Sequence, residues 1–197
     1  MLTAPNAIAF TVQAFVNIAE IWVIGKMGTG ALAAIALSFP FAILIQTMSL
    51  GALGGGISSA VARALGNGDT LRADKILWHA VYLGAAIASV FLILFLLFGK
   101  FTLELLGGEG AVLDAATKYC LILFVGGVFL WLSSTISAIF RGAGDMAYPS
   151  RLMIIASFVQ VPLTAIFIFG AFGVPAQGVP GAALSSVIIA MATAGLM

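Results

Sequence analysis

Long apolar runs, cut at intervals by short stretches rich in glycine, proline and charge, make up most of this chain. None of the runs alternates with a period of two, so the strands of a membrane barrel are disfavoured, and backbone groups in lipid must be paired within helices. A bilayer core of about 30 Å needs roughly 20 apolar residues per helix. Six runs fit: Ala4–Gly25, Leu32–Ala62, Ile76–Phe98, Thr117–Phe140, Leu152–Phe172 and Gly181 to Met197. The second is too long for a straight crossing. No charge falls between Lys26 and Arg63, a stretch on the order of 54 Å at 1.5 Å per residue, so it is expected to tilt, bend or project beyond the lipid. Within it Gly51, Gly55 and Ser59 recur every four residues, a small-residue stripe that suits close helix packing and equally a hinge or a pathway wall.

Composition fixes the class. The chain is 62% hydrophobic and 8% charged, with a mean hydropathy of +1.21, whereas soluble domains carry roughly 25% charged residues. So few charges cannot build a water-soluble surface, and the fold expected is an all-α integral membrane protein. The net charge of +1 comes from scattered Lys and Arg, which argues against nucleic acid as a partner. A lone Cys120 and a lone His79 permit neither a disulfide nor a Cys/His metal cluster, and both read as packing or interface residues. The first residues lack the basic segment that opens a secretory signal, so the first run is expected to stay as a membrane span. Gly28, Gly30 and Ala33 formally match a dinucleotide fingerprint but follow no strand, no phosphate-loop or nucleophile-elbow motif occurs, and no enzymatic chemistry or cofactor is indicated.

The connecting stretches give orientation. Arg63, Arg72, Lys75, Arg141 and Arg151 fall on one side and Lys26, Lys100 and Lys118 on the other, which favours a cytoplasmic N-terminus in a multi-pass cell-membrane protein. Two connections on the positive side resemble each other, RALGNGD from Arg63 and RGAGD from Arg141. In each, glycine can take positive φ to end one helix and aspartate can cap the next, with Pro149 suited to a first turn. A tight helical hairpin explains the pattern; a gating contact is the sharper alternative. Lys118 with Asp114 reads as an i,i+4 pair at a helix start.

One residue looks misplaced. Glu20 lies in VNIAEIWVIG, where a carboxylate has little water to solvate it. An intramembrane acid is costly and by default a functional candidate, although near a helix end it could also reach the headgroups or pair with Lys26. Gln13, Asn17 and Glu20 are spaced by four and three and share one helix face.

Taken in order, NIAEIWVIGKMG at 17–28, ALAAIALSFP at 31–40, the GNGD and RGAGDMAYP turns and IFGAFGVPAQGVPGAAL at 168–184 resemble the N-terminal half of a multidrug and toxin extrusion (MATE) transporter. The resemblance implies one six-helix lobe of a twelve-helix protein, working by alternating access as a proton- or sodium-driven antiporter that exports small organic cations. A second lobe, or a homodimer partner, is then expected, as are lipid contacts. The family's fifth helix commonly carries an Asn and, four residues on, an Asp; here Gln160 and Thr164 stand there, with Pro162 between them. The implied cation-coupling set is therefore Glu20, Asn17, Gln160 and Thr164, with the charge on Glu20 and H+ or Na+ left open. Gln13, Tyr119 and Trp131 would line a substrate cavity, the aromatics stacking on planar cations unless they serve as packing or interface anchors. Rival readings are a flippase of lipid-linked or polysaccharide precursors and a non-transporting membrane assembly subunit.

Overall fold

The computed structural model describes residues 3–49, 54–171, 173 and 175–197, with side chains from Thr11 onward. Among these residues the chain is helical and contains no strand. Eight helices follow in order: α1 Thr3–Gly25, α2 Thr29–Thr47, α3 Gly54–Gly66, α4 Thr70–Leu105, α5 Gly110–Val125, α6 Gly127–Gly142, α7 Ala147–Phe169 and α8 Val179–Leu196. By length and composition α2, α4, α7 and α8 can each cross a membrane, and α5 with α6 makes a fifth crossing bent by 47°.

Six runs were expected, and by this measure the described residues give four crossings, or five with the bent pair, α1 from Thr11 being the shorter apolar helix. The second resolves among the described residues into α2 and α3, the third lengthens to the 36 residues of α4, and the fourth begins earlier, at Gly110, and bends at Gly126. Gly126 permits this bend against α8, because a Cβ there would fall 2.2 Å from the Val187 side chain. The described part of the small-residue stripe, Gly55 and Ser59, does not pack inside the lobe. Gly51 lies outside the described residues, while Gly55 and Ser59 are exposed and a Cβ on Gly55 would meet nothing within 4 Å. The close approach of α3 to α6 comes instead from Gly142, where a Cβ would stand 2.6 Å from the Ser58 carbonyl oxygen.

The two similar connections are built alike. Asp69 N–H donates to the Ala64 carbonyl and Asp145 N–H to that of Phe140, with Gly68 and Gly144 at φ of 73° and 90°. Each aspartate then accepts from the next helix: Asp69 from Arg72 N–H at 2.9 Å, Asp145 from the Ala147 and Tyr148 N–H groups at 3.0 and 3.1 Å. Helix termination and capping account for both motifs.

Two packing units meet along α8. The main core gathers Phe95, Leu103, Cys120, Phe124 and Trp131 from α4, α5 and α6 with Ala34 and Ile45 of α2; Phe95 stacks on Phe124 at 4.6 Å. On the other flank α1 packs chiefly on α7, and α7 on α8, through a smaller cluster of Val23, Ile24, Ile168 and Ala182. Gly181 lets α8 reach α7, since a Cβ there would be 2.7 Å from the Phe167 carbonyl.

Candidate functional site

The α1–α7–α8 flank carries the buried polar groups. Glu20 projects from α1 toward α7, where Gln160 and Thr164, one turn apart, present donors in succession. Its Oε1 accepts from Thr164 Oγ1 at 2.9 Å and from Gln160 Nε2 at 3.0 Å. Behind them stands α8: Thr164 Oγ1 lies 2.7 Å from Ser185 Oγ, and Gln160 Nε2 donates also to Ser186 Oγ at 3.3 Å. Both serines donate back to the Ala182 carbonyl, at 2.8 and 3.1 Å. Thr164 and Ser185 have no solvent exposure, so the carboxylate is held by a desolvated, fully bonded donor set. Hydrogen bonds to a charged acceptor in such surroundings are stronger than neutral ones.

Gln13 and Asn17 form a separate pair. Gln13 Nε2 donates to Asn17 Oδ1 at 3.2 Å, and Ser157 Oγ donates to Gln13 Oε1 at 3.2 Å. Asn17 is exposed, and the hydrogen bond it makes runs to Gln13 rather than toward Glu20. The bonded pairs Gln13–Ser157 and Glu20–Thr164 advance together along both chains, so α1 and α7 run parallel.

The aromatics divide. Tyr119 packs partly buried against both apolar clusters. Trp131 is 2% exposed, donates its indole N–H to the Ile45 carbonyl at 3.3 Å and meets Phe91 edge-on. Its large apolar area and its N–H are both satisfied inside the main core, the arrangement that the packing alternative expects. Cys120 is likewise buried, and His79 is exposed with Nδ1 2.6 Å from the Lys75 carbonyl. Among the described residues no three His, Cys, Asp or Glu side chains gather as a metal site. Reading from sequence missed Ser185 and Ser186. The only signal was a Ser-Ser pair inside an apolar helix, and most buried serines merely bond their own helix, as Ser38 does to Ala34.

These features define a polytopic helical membrane protein with a carboxylate clamped where three helices meet. The chain belongs to the MatE family, whose model matches residues 5–166. It is 27% identical to the "FAD transporter" of Shewanella oneidensis over all of this chain and 44% of that protein. It is 25% identical to the "Probable multidrug resistance protein NorM" of Thermotoga maritima, over 94% of this chain and 40% of that one. The chain therefore spans less than half the length of these relatives. Among solved structures, the outward-facing conformation of a multidrug resistance MATE family transporter of the MOP superfamily superposes with a TM-score of 0.89 at 28% identity, covering 99% of this chain and 42% of the other. A MOP superfamily transporter from Pyrococcus furiosus superposes at 0.84, also at 28% identity, covering 99% and 42%.

Proposed function

We propose that this chain forms one lobe of a cation-coupled antiporter that exports amphipathic organic cations by alternating access, with Glu20 carrying the coupling ion. The observation that supports this reading is the Glu20–Thr164–Gln160 junction: a carboxylate between helices, with two donors from α7 aimed at one of its oxygens. A buried charge with a structural role is ordinarily paired with an opposite one, and Lys26 instead lies over the Trp22 ring at 3.7 Å. Gaining or losing a positive charge at Glu20 changes how tightly α1 is held to α7, which is the differential interaction a two-state carrier requires.

The coupling ion on this reading is a proton. Gln160 turns its amide nitrogen, not its oxygen, to Glu20, so a sodium ion at Oε1 would face a donor and would need the amide to rotate. Binding of a proton needs no such change. The cargo is cationic on the same grounds, because the ionisable group at the buried junction is an acid. The name of the Shewanella relative points to a different cargo, a dinucleotide bearing phosphates, and such a cargo would call for cationic groups in that place.

The test is Glu20→Gln in membrane vesicles from cells producing the chain in its natural full-length context. Efflux of a fluorescent organic cation driven by a pH gradient is expected to vanish while binding of that cation persists, and Glu20→Asp is expected to retain transport. Wild-type, gradient-dependent efflux in Glu20→Gln would dispose of Glu20 as the coupling group.

A further inference from the structure

At the end of the bundle opposite Lys100, a groove of about 390 Å³ opens between α3 and α4. Its walls are Ile57 and Ala60 from α3 and Leu83 from α4, and its mouth carries Arg72, Lys75 and His79. Positions 72, 75 and 79 are spaced by three and four and so share a helix face, while Asp74 falls on the opposite one. Nearby acid does not neutralise them. The ion pairs among the described residues are Lys100–Glu104 and Lys118–Asp114, and Asp69 spends its side chain on the Arg72 backbone N–H.

The groove also sits at a definable depth. Between His79 and Lys100 α4 carries no charge, and that stretch of about 20 residues spans about 30 Å, the thickness of a bilayer core. His79 and Lys75 therefore stand at headgroup level. Trp78 and Tyr82, both exposed with rings 6.2 Å apart, mark the same level, where amphipathic aromatics collect. Below the cations, Leu83, Val90 and Leu97 continue along α4 at heptad spacing as an exposed apolar track.

We propose that this groove is a binding site for an anionic phospholipid. Its phosphate lies between the Arg72 guanidinium and the Lys75 ammonium, beside the His79 ring that Nδ1 ties to the Lys75 carbonyl, and one acyl chain follows Leu83, Val90 and Leu97. Charge complementarity selects an anion, and the apolar wall with its continuation down the helix selects a lipid over a free ion. The site is remote from Glu20 and independent of the transport reading.

Trp78, beside the cations, reports the occupant. In a Trp22→Phe background the remaining Trp131 is buried, and the protein is placed in phosphatidylcholine vesicles containing either brominated phosphatidylglycerol or brominated phosphatidylcholine. Quenching of Trp78 is expected to give phosphatidylglycerol a relative affinity about 25-fold higher, about fivefold from each of the two cations. That preference should fall about fivefold for each of Arg72→Gln and Lys75→Gln and stay unchanged in Lys100→Gln, with helical circular dichroism intact throughout. Equal quenching by the two lipids, or a preference untouched in Arg72→Gln/Lys75→Gln, overturns the proposal. Loss of the preference on adding millimolar inorganic phosphate at constant ionic strength would assign the groove to free phosphate and overturn it as well.

Discussion

Replacing Thr164 by valine exchanges a hydroxyl for a methyl of the same shape at a position with no solvent exposure, so it opens no cavity and isolates the hydrogen bond to Glu20. Ser185 keeps its bond to the Ala182 carbonyl and Glu20 keeps Gln160, so neither is orphaned. What is lost is the donor to Glu20 at 2.9 Å and the 2.7 Å contact with Ser185 Oγ, the second of which cancels when the change is paired with one at Glu20. Between neutral groups, interhelical hydrogen bonds in membrane proteins average about 0.6 kcal/mol, whereas a bond to a charged acceptor is worth about 1.5–3 kcal/mol. A double-mutant cycle of Thr164→Val with Glu20→Leu, whose side chain accepts no hydrogen bond, read by thermal or denaturant unfolding in detergent, therefore reports the state of the carboxyl. A coupling above about 1.5 kcal/mol identifies a carboxylate held by Thr164, and one near 0.6 kcal/mol a neutral acid. Repeating the cycle from alkaline to acidic pH should move the coupling from the larger value to the smaller as Glu20 takes up its proton. Additivity within about 0.3 kcal/mol at every pH would mean that the Glu20–Thr164 bond does not exist and would remove the basis of the proposed mechanism.

Orientation is checked by single cysteines at Asn67 and Ala143, expected to be protected from an impermeant thiol reagent in intact cells, against one at Glu109, expected to be labelled. All three positions are exposed, unlike Gly108, where a side chain would meet Leu37 and the Leu103 carbonyl. Gly181→Ala should push α8 off α7 and cost about 1–3 kcal/mol, seen as a fall in Tm; an unchanged Tm would show that the close approach at Phe167 is not used. Trp131→Phe should lower stability while leaving substrate affinity untouched, and a selective loss of substrate binding at unchanged Tm would return Trp131 to the cavity.

The class was legible because it rests on sums: few charges and long apolar runs leave only helices in lipid. Glu20, Gln160 and Thr164 could be named as partners because one acid in an apolar run is conspicuous and because the resemblance supplied a register for the fifth span. Asn17 shows the limit. Helical spacing put it on the face of Glu20, but spacing fixes a face and not a partner, and Gln13 one turn away was the nearer group. Trp131 shows a second limit: an indole satisfied by the Ile45 carbonyl depends on how α6 meets α2, a long-range fact that no local pattern encodes. The bend at Gly126 was hidden for the same reason, since it answers to Val187, far along the chain.

The way α1 is attached suggests how a charge at Glu20 becomes movement. At the Gly25 end the helix is fixed by apolar contact, Val23 and Ile24 against Ile168 and Ala182, which no ion can alter. From Thr11 to Glu20 its hydrogen bonds to α7 run through Gln13–Ser157 and Glu20 with Thr164 and Gln160, beside the buried Val16, while Phe15, Ile18, Ile21 and Trp22 face outward. Protonation weakens the charge-assisted bonds and leaves the apolar anchor alone, so α1 should swing about the Val23–Ile24 contact. Spin labels at Phe15 and Phe158, both exposed, are expected to change separation by about 1–2 Å or more between alkaline and acidic pH. A pair at Trp22 and Phe169, near the anchor, should hold its distance. If the two pairs shift together, or neither responds while transport remains proton-driven, α1 does not pivot there and the coupling must pass through another contact.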